Sequence, residues 1–341
     1  MKGFLPIAAA GLLLAGCATA APDNQLRLGY LGNLTHATAM VGVANGFFQK
    51  SLGDTRLTTQ VFNAGPAEMT ALLGGQLDAA YVGPSSALNG YVRSHGQALK
   101  IVAGATMGGA ELVVRAGIDK PAQLRGKTLA TPQLGNTQDV ALRYWLSQHG
   151  MKSAPDGGGD VAVRPQDNAT TLDQFRAGKI DGAWLPEPWA SRLVIEARAT
   201  VLVDENDLWP NGRFASTDLV VSTKFLREHP DLVRRLIAGE LATNDWIAKN
   251  AAQAVKTVST ELRRLTGTTL TEPEVSRAWD EQRVTEDPLA STVGVQADHA
   301  VSVGLMSATD LRGIVDVGPL NAELEAAGKV KVDDAGLGAA Q

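Results

Sequence analysis

The chain has 341 residues, 44% of them apolar, 20% charged and 5% aromatic, with 36 glycines and a formal net charge of -5. That length exceeds one small domain and suits two α/β lobes with a sizeable core. A negative balance without any run of Lys and Arg argues against a nucleic-acid partner.

The chain opens with Met1-Lys2 and an apolar run from Phe4 to Leu14, too short to span a bilayer but of the length of a signal-peptide core. Leu14-Ala15-Gly16-Cys17 follows and resembles the lipobox of bacterial lipoproteins, which implies cleavage after residue 16 and acylation of Cys17. Cys17 is the single cysteine, so an internal disulfide and a cysteine-based zinc site are excluded. Residues 1–16 are therefore expected to be a signal peptide and 17–25 a tether. No second apolar run of 18 or more residues follows, so the protein is expected to be anchored to the membrane rather than to span it.

Alternating apolar residues in Leu26-Arg27-Leu28-Gly29-Tyr30 predict a first strand, followed by a helix from Thr35 to Val43 that Asn45-Gly46 ends. Strands at 57–62, 77–82 and 101–105 alternate with helices after Gly65-Pro66 and Gly83-Pro84, the pattern of βαβ units and a parallel sheet. A second set starts near Leu112, with strands at 112–114, 128–130, 161–163 and 182–184 and a strong amphipathic helix at 138–149. Leu219-Val220-Val221 reads as a strand returning to the first sheet. Helical spacing then dominates at 231–249, 251–266 and 272–281. The expected organisation is lobe 1 at 26–108 and 219–334, lobe 2 at 109–218, and a disordered tail at 335–341. Two chain crossings would form a hinge, with a ligand cleft between the lobes.

Several segments resemble, in order, the solute-binding proteins of ABC importers for sulfonates, nitrate and taurine. They are Leu26 to Tyr30 with Gly46-Phe47-Phe48, Gln76 to Ala80, Leu124 to Ala130, and Gly135-Asn136-Thr137. Phe175 to Ala183 with Pro186-Glu187-Pro188 follows, then Leu219 to Ser222 with Phe225 and His229 to Val233. The resemblance covers about residues 26 to 250; residues 256–330 match no pattern. It implies an α/β, two-lobed type II periplasmic-binding-protein fold. It also implies capture of a small oxyanion without catalysis or cofactor, delivery to an ABC permease and its ATPase, and a monomer lipid-anchored in the cell envelope and facing the periplasm or exterior.

A ligand in an open α/β sheet sits beyond the carboxyl ends of the strands. Three such ends run into helix starts: Asn33-Leu34-Thr35-His36, Gly83-Pro84-Ser85-Ser86, and Gly135-Asn136-Thr137-Gln138. Free N–H groups and the dipole at a helix start hold an anion without Lys or Arg, and the hydroxyl and amide side chains of Asn33, Thr35, Ser85, Ser86, Asn136, Thr137 and Gln138 add donors. The same residues are also ordinary N-caps. Met107 and Gly108 lie where the chain leaves lobe 1. Glu187 could meet a cationic group, Trp189 an apolar part of a ligand, and Asp218 precedes the return strand. If Glu111, Glu187 and Asp218 lined the cleft, an amine-bearing solute such as taurine would be favoured.

The main alternatives are a binder of a pyrimidine or other thiamine-precursor-like solute, a lipid-anchored enzyme on the same fold, and a lipoprotein that senses a ligand for a receptor. No His-Glu-x-x-His, Gly-x-Ser-x-Gly or Ser-x-x-Lys motif occurs. The five histidines are spaced too widely for a metal pattern, and no metal is expected.

Overall fold

The computed structural model describes residues 24–339, so Cys17 and the expected signal peptide lie outside the described residues. In chain order the strands are β1 (Gln25–Leu31), β2 (Arg56–Phe62), β3 (Ala79–Val82), β4 (Leu99–Gly108), β5 (Ala110–Val114), β6 (Thr128–Thr131), β7 (Ala162–Pro165), β8 (Gly182–Pro186), β9 (Thr200–Asp204), β10 (Ala215–Ser222) and β11 (Gln282–Val284). They form a six-stranded sheet ordered β11-β4-β10-β3-β1-β2 and a five-stranded sheet ordered β7-β6-β8-β5-β9. Each sheet is the centre of one lobe.

Both sheets are mixed, where a parallel sheet was expected. β1 runs parallel to β2 and β3, and β6 parallel to β7 and β8, as βαβ units require. β5 and β10 are reversed against both of their neighbours. These are the strands that arrive from the other lobe. Each enters at the edge where its neighbours end, so it must run the opposite way.

The hinge has two crossings. Gly108 and Gly109 make the first, both with φ near +75°. An L side chain is disfavoured there, and a Cβ on Gly108 would also lie 2.9 Å from the Glu281 carbonyl oxygen. The second crossing runs through short turns between Asp204 and Ala215. The return strand thus starts at Ala215, four residues before the expected boundary, and Asp218 belongs to the middle of the lobe 1 sheet, opposite Val82 and Gly104. The expected disordered tail is a further correction for residues 335–339. There the Leu337 carbonyl accepts from Gly313 and Val315, and its side chain packs on the lobe 1 core.

Helices cover both faces of each sheet. On one face of lobe 1, Leu26, Leu28 and Tyr30 pack with the helix Pro230–Lys249, whose Val233, Leu236, Ile237, Leu241 and Ile247 share one stripe. Each such side chain contributes about 1.5–3 kcal/mol on burial. On the other face the helices Pro84–Arg93 and Ala290–Ser302 pack on Val82, Ile101 and Val220. The unmatched segment 256–330 therefore completes lobe 1 and supplies its edge strand β11. Lobe 2 closes around Trp184 on one side and around Phe175 and Leu185 on the other. Among the described residues no helix is long and apolar enough to cross a membrane.

Candidate ligand-binding site

Three helices point their first turns at one narrow void between the lobes: Gly65–Leu73, Pro84–Arg93 and Thr137–Gln148. Proline in the first turn pre-sets φ for the first two, and neither has a side-chain cap on its start. Pro66 and Pro84 carry no N–H and Ser86 N donates to the Gly83 carbonyl at 3.0 Å, so Gly65 N, Ala67 N and Ser85 N are the first-turn groups left for another acceptor. In the third, the cap is made: Asn136 Oδ1 accepts from Asp139 N at 2.9 Å, and Asn136 Nδ2 donates to Gln138 Oε1 at 3.1 Å. The buried Asp139 carboxylate locks this turn by accepting from Thr131 Oγ1, Gly135 N and Arg143 Nε. Capping thus occupies Asn136, while Thr137 Oγ1 has no partner in the protein.

The void measures about 30 Å³ and is lined by Asn33, Thr35, His36, Ser86, Asn136, Thr137 and Gln138 among the expected residues. The turn at Asn63-Ala64-Gly65, Pro132, Pro186 and Ser216 also line it and were not expected, and Gly83 lines it from one of the expected helix starts. A signal for the first of these was present, since Gly65-Pro66 follows a strand just as Gly83-Pro84 does. Gly83 has a steric role: a Cβ there would lie 2.5 Å from Thr137 Oγ1, so only glycine lets the two lobes meet at this point. No Asp, Glu, Lys or Arg lines the void. His36, buried, accepts from Leu31 N through Nδ1, which leaves its proton on Nε2, and burial pushes its pKa down to about 3. The void is therefore lined by uncharged donors.

The lobes are drawn together around it. Leu34 N donates to the Glu187 carbonyl at 3.0 Å, Trp189 Nε1 to Asn33 Oδ1 at 3.0 Å, and Asn89 Nδ2 to the Gly135 carbonyl at 3.3 Å. Beside these contacts, Arg277 on the lobe 1 helix Glu272–Asp280 reaches into lobe 2. Its Nη2 meets both Glu111 oxygens at 2.7 Å, and its Nη1 bonds Glu187 Oε1 at 3.0 Å and Ser191 Oγ at 2.8 Å. One cation between two buried carboxylates does not offset their desolvation: burial pushes Glu187 up to about 8, helped by Glu111, and pushes Glu111 up to about 7 against the pull of Arg277.

The remaining expected residues are thus placed elsewhere. Glu111 and Glu187 are absent from the lining of the void and hold Arg277 instead. Asp218 is fully buried within β10, its pKa raised well above the usual range by burial. Trp189 packs in the lobe 2 core with Arg192 over its ring and reaches the cleft only through Nε1. Pro84 starts its helix and Gly108 forms the hinge, both outside the void. Met107 lines an outer surface hollow with Asn206 and Arg283, and Ser85 lines a different interlobe cavity. Among the described residues no group of three or more His, Cys, Asp or Glu could hold a metal ion.

The sequence profile of the NMT1-like family matches residues 19–260. A binding protein of Brucella abortus is 30% identical over 259 residues, 74% of this chain and 76% of that one. Among solved structures, the periplasmic nitrate-binding protein of Synechocystis superposes with a TM-score of 0.76 at 14% identity, over 89% of each chain. The alkanesulfonate-binding protein of Xanthomonas axonopodis pv. citri, bound to MOPS, superposes with a TM-score of 0.70 at 20% identity, over 85% of this chain and 96% of that one. The fold is thus that of the two-lobed periplasmic binding proteins.

Proposed function

Because this chain belongs to the NMT1-like family, we propose that it is the extracytoplasmic solute-binding component of an ABC importer, closing its lobes on a small oxyanion and passing it to a permease and its ATPase. The observation that carries this reading is the void itself, where helix starts from both lobes converge and every lining side chain is uncharged. Dipole ends and neutral donors hold an anion reversibly, which capture followed by release requires. Nitrate and alkanesulfonate binding by the two structural neighbours supports the same class of solute. With Glu111 and Glu187 engaged by Arg277, no carboxylate is left at the void for an ammonium, which favours a simple anion over taurine. The anion bridges both lobes, so it favours the closed arrangement.

Thermal unfolding of residues 22–341 against nitrate, bicarbonate, methanesulfonate and taurine, with chloride as control, tests this. At about a hundred times its dissociation constant the solute adds roughly 2.7 kcal/mol, a shift of several degrees. Ser86→Ala and Thr137→Val are expected to reduce that shift. A flat response to all four solutes would remove the oxyanion from the reading.

Cys17, outside the described residues, is proposed to carry the lipid that holds the monomer at the membrane. Cys17→Ser is expected to move the protein from the membrane to the soluble fraction on cell fractionation. Unchanged membrane recovery would show that Cys17 is not the anchor.

A further inference from the structure

A larger cavity of about 550 Å³ lies between the lobes beside the second crossing. It falls in the size range of organic-ligand pockets, well above the void at the helix starts. Its walls are aromatic and come from both lobes. Tyr144 and Trp145 project from the lobe 2 helix Thr137–Gln148, His299 from the lobe 1 helix Ala290–Ser302, and Trp209 from the crossing. Tyr144 and His299 stack at 3.5 Å between ring centroids, and Trp209 lies 5.6 Å from the same His299 ring.

The lining also carries three polar atoms without a partner in the protein: Ser85 Oγ, Thr137 Oγ1 and Gln296 Oε1. Their residues are 1%, 4% and 3% exposed. The Gln296 amide is fixed, because its Nε2 donates to the Ala215 carbonyl at 2.8 Å, so its oxygen is held as an acceptor. Leaving such groups unpaired in the interior is unfavourable, a cost that a ligand with matching atoms removes.

We propose that this cavity is a second binding site, for a planar, uncharged aromatic molecule carrying a hydrogen-bond acceptor and a donor. The aromatic walls accept a flat ring. The two hydroxyls can donate to its acceptor, and the Gln296 oxygen accepts from its donor. No Lys or Arg lines the cavity, so an organic anion finds no counter-charge there. The Glu205 carboxyl in the wall is pushed up to about 8 by burial, so it is mostly protonated at neutral pH and gives little hold on a cation. Because both lobes supply walls, the occupant favours closure, as an anion in the neighbouring void does. This site does not rest on the oxyanion reading: Thr137 lines both spaces, whereas Ser85 and Gln296 line this cavity and not the void.

Titration with benzamide, which has the required ring, acceptor and donor, tests the proposal through quenching of Trp145 and Trp209 fluorescence. Saturable quenching is expected, weaker with benzoate and with the non-planar cyclohexanecarboxamide. Tyr144→Ala, which removes a half-buried ring from the wall, is expected to weaken benzamide binding roughly tenfold. Ser85→Ala should weaken it less, while both variants keep the thermal shift given by any anion that stabilises the wild type. Absence of saturable quenching, equal response to all three compounds, or indifference to both substitutions would overturn the proposal.

Discussion

Replacing Arg277 by Ala is expected to cost about 3–5 kcal/mol of stability and to loosen the closed arrangement. Glu111 and Glu187 are 3% and 0% exposed at their side chains, and Arg277 is 22% exposed, so the cation reaches in from the rim to two carboxylates that have no access to water. Without it Glu111 must take up a proton or remain charged in a poorly polarisable interior, and Glu187, which burial already keeps mostly protonated at neutral pH, is left without its partner. Arg277→Lys keeps the charge but offers one nitrogen where Arg277 sets Nη2 on Glu111 and Nη1 on Glu187 and Ser191, and should recover only part of the loss. The triple substitution Arg277→Met with Glu111→Gln and Glu187→Gln should recover more, because the desolvation cost leaves with the charges. Urea unfolding measures the stability, and the radius of gyration from small-angle scattering measures the opening. An Arg277→Ala protein within about 0.5 kcal/mol of the wild type and equally compact would mean that the three residues do not hold the lobes together.

This latch also marks where the sequence ceased to be legible. Helix starts and strands follow local rules, and Gly65-Pro66, Gly83-Pro84 and Asn136 announce their turns through the backbone preferences of the residues themselves. The helix bearing Arg277 was readable from apolar spacing. That its arginine meets Glu111, 166 residues earlier, is a property of tertiary packing that no local pattern carries. Glu111 and Glu187 consequently read as free cleft carboxylates. Asp218 read as the residue just before the return strand because Leu219-Val220-Val221 is the obvious apolar run, whereas β10 begins three residues earlier and buries it. The reversed directions of β5 and β10 follow from the entry edge of each crossing strand, which becomes apparent only once both sheets are assembled.

Stability is expected to fall by about 3 kcal/mol or more between pH 7 and pH 9, without loss of any salt bridge to salt or denaturant. The groups responsible are Glu187 and Glu205, each pushed from 4.5 up to about 8, chiefly by burial. A carboxyl whose pKa is higher in the folded chain than in the unfolded one stabilises the fold fully below about 4.5, and that stabilisation is lost as pH rises through about 8. From pH 7 upward the unfolded chain has already released these protons and the folded chain has not. Each pKa unit spanned removes about 1.4 kcal/mol per group. Glu68, Asp218 and Glu240, fully buried and pushed the same way, steepen the fall. His36 contributes nothing to this interval, because its folded value of about 3 and its usual value of 6.5 both lie below it. Glu205→Gln separates the sources. The amide oxygen can still accept from Trp184 Nε1, which lies 2.7 Å from the carboxylate, while the ionisable group is gone. The variant should unfold at higher urea than the wild type at pH 9, close to it at pH 7, and with a correspondingly shallower slope between. An unfolding midpoint that stays level from pH 7 to pH 9 in both proteins would mean that these carboxyls ionise in the folded chain at ordinary pH. The uncharged character of the cavity beside Glu205, on which the choice of a neutral occupant depends, would fall with them.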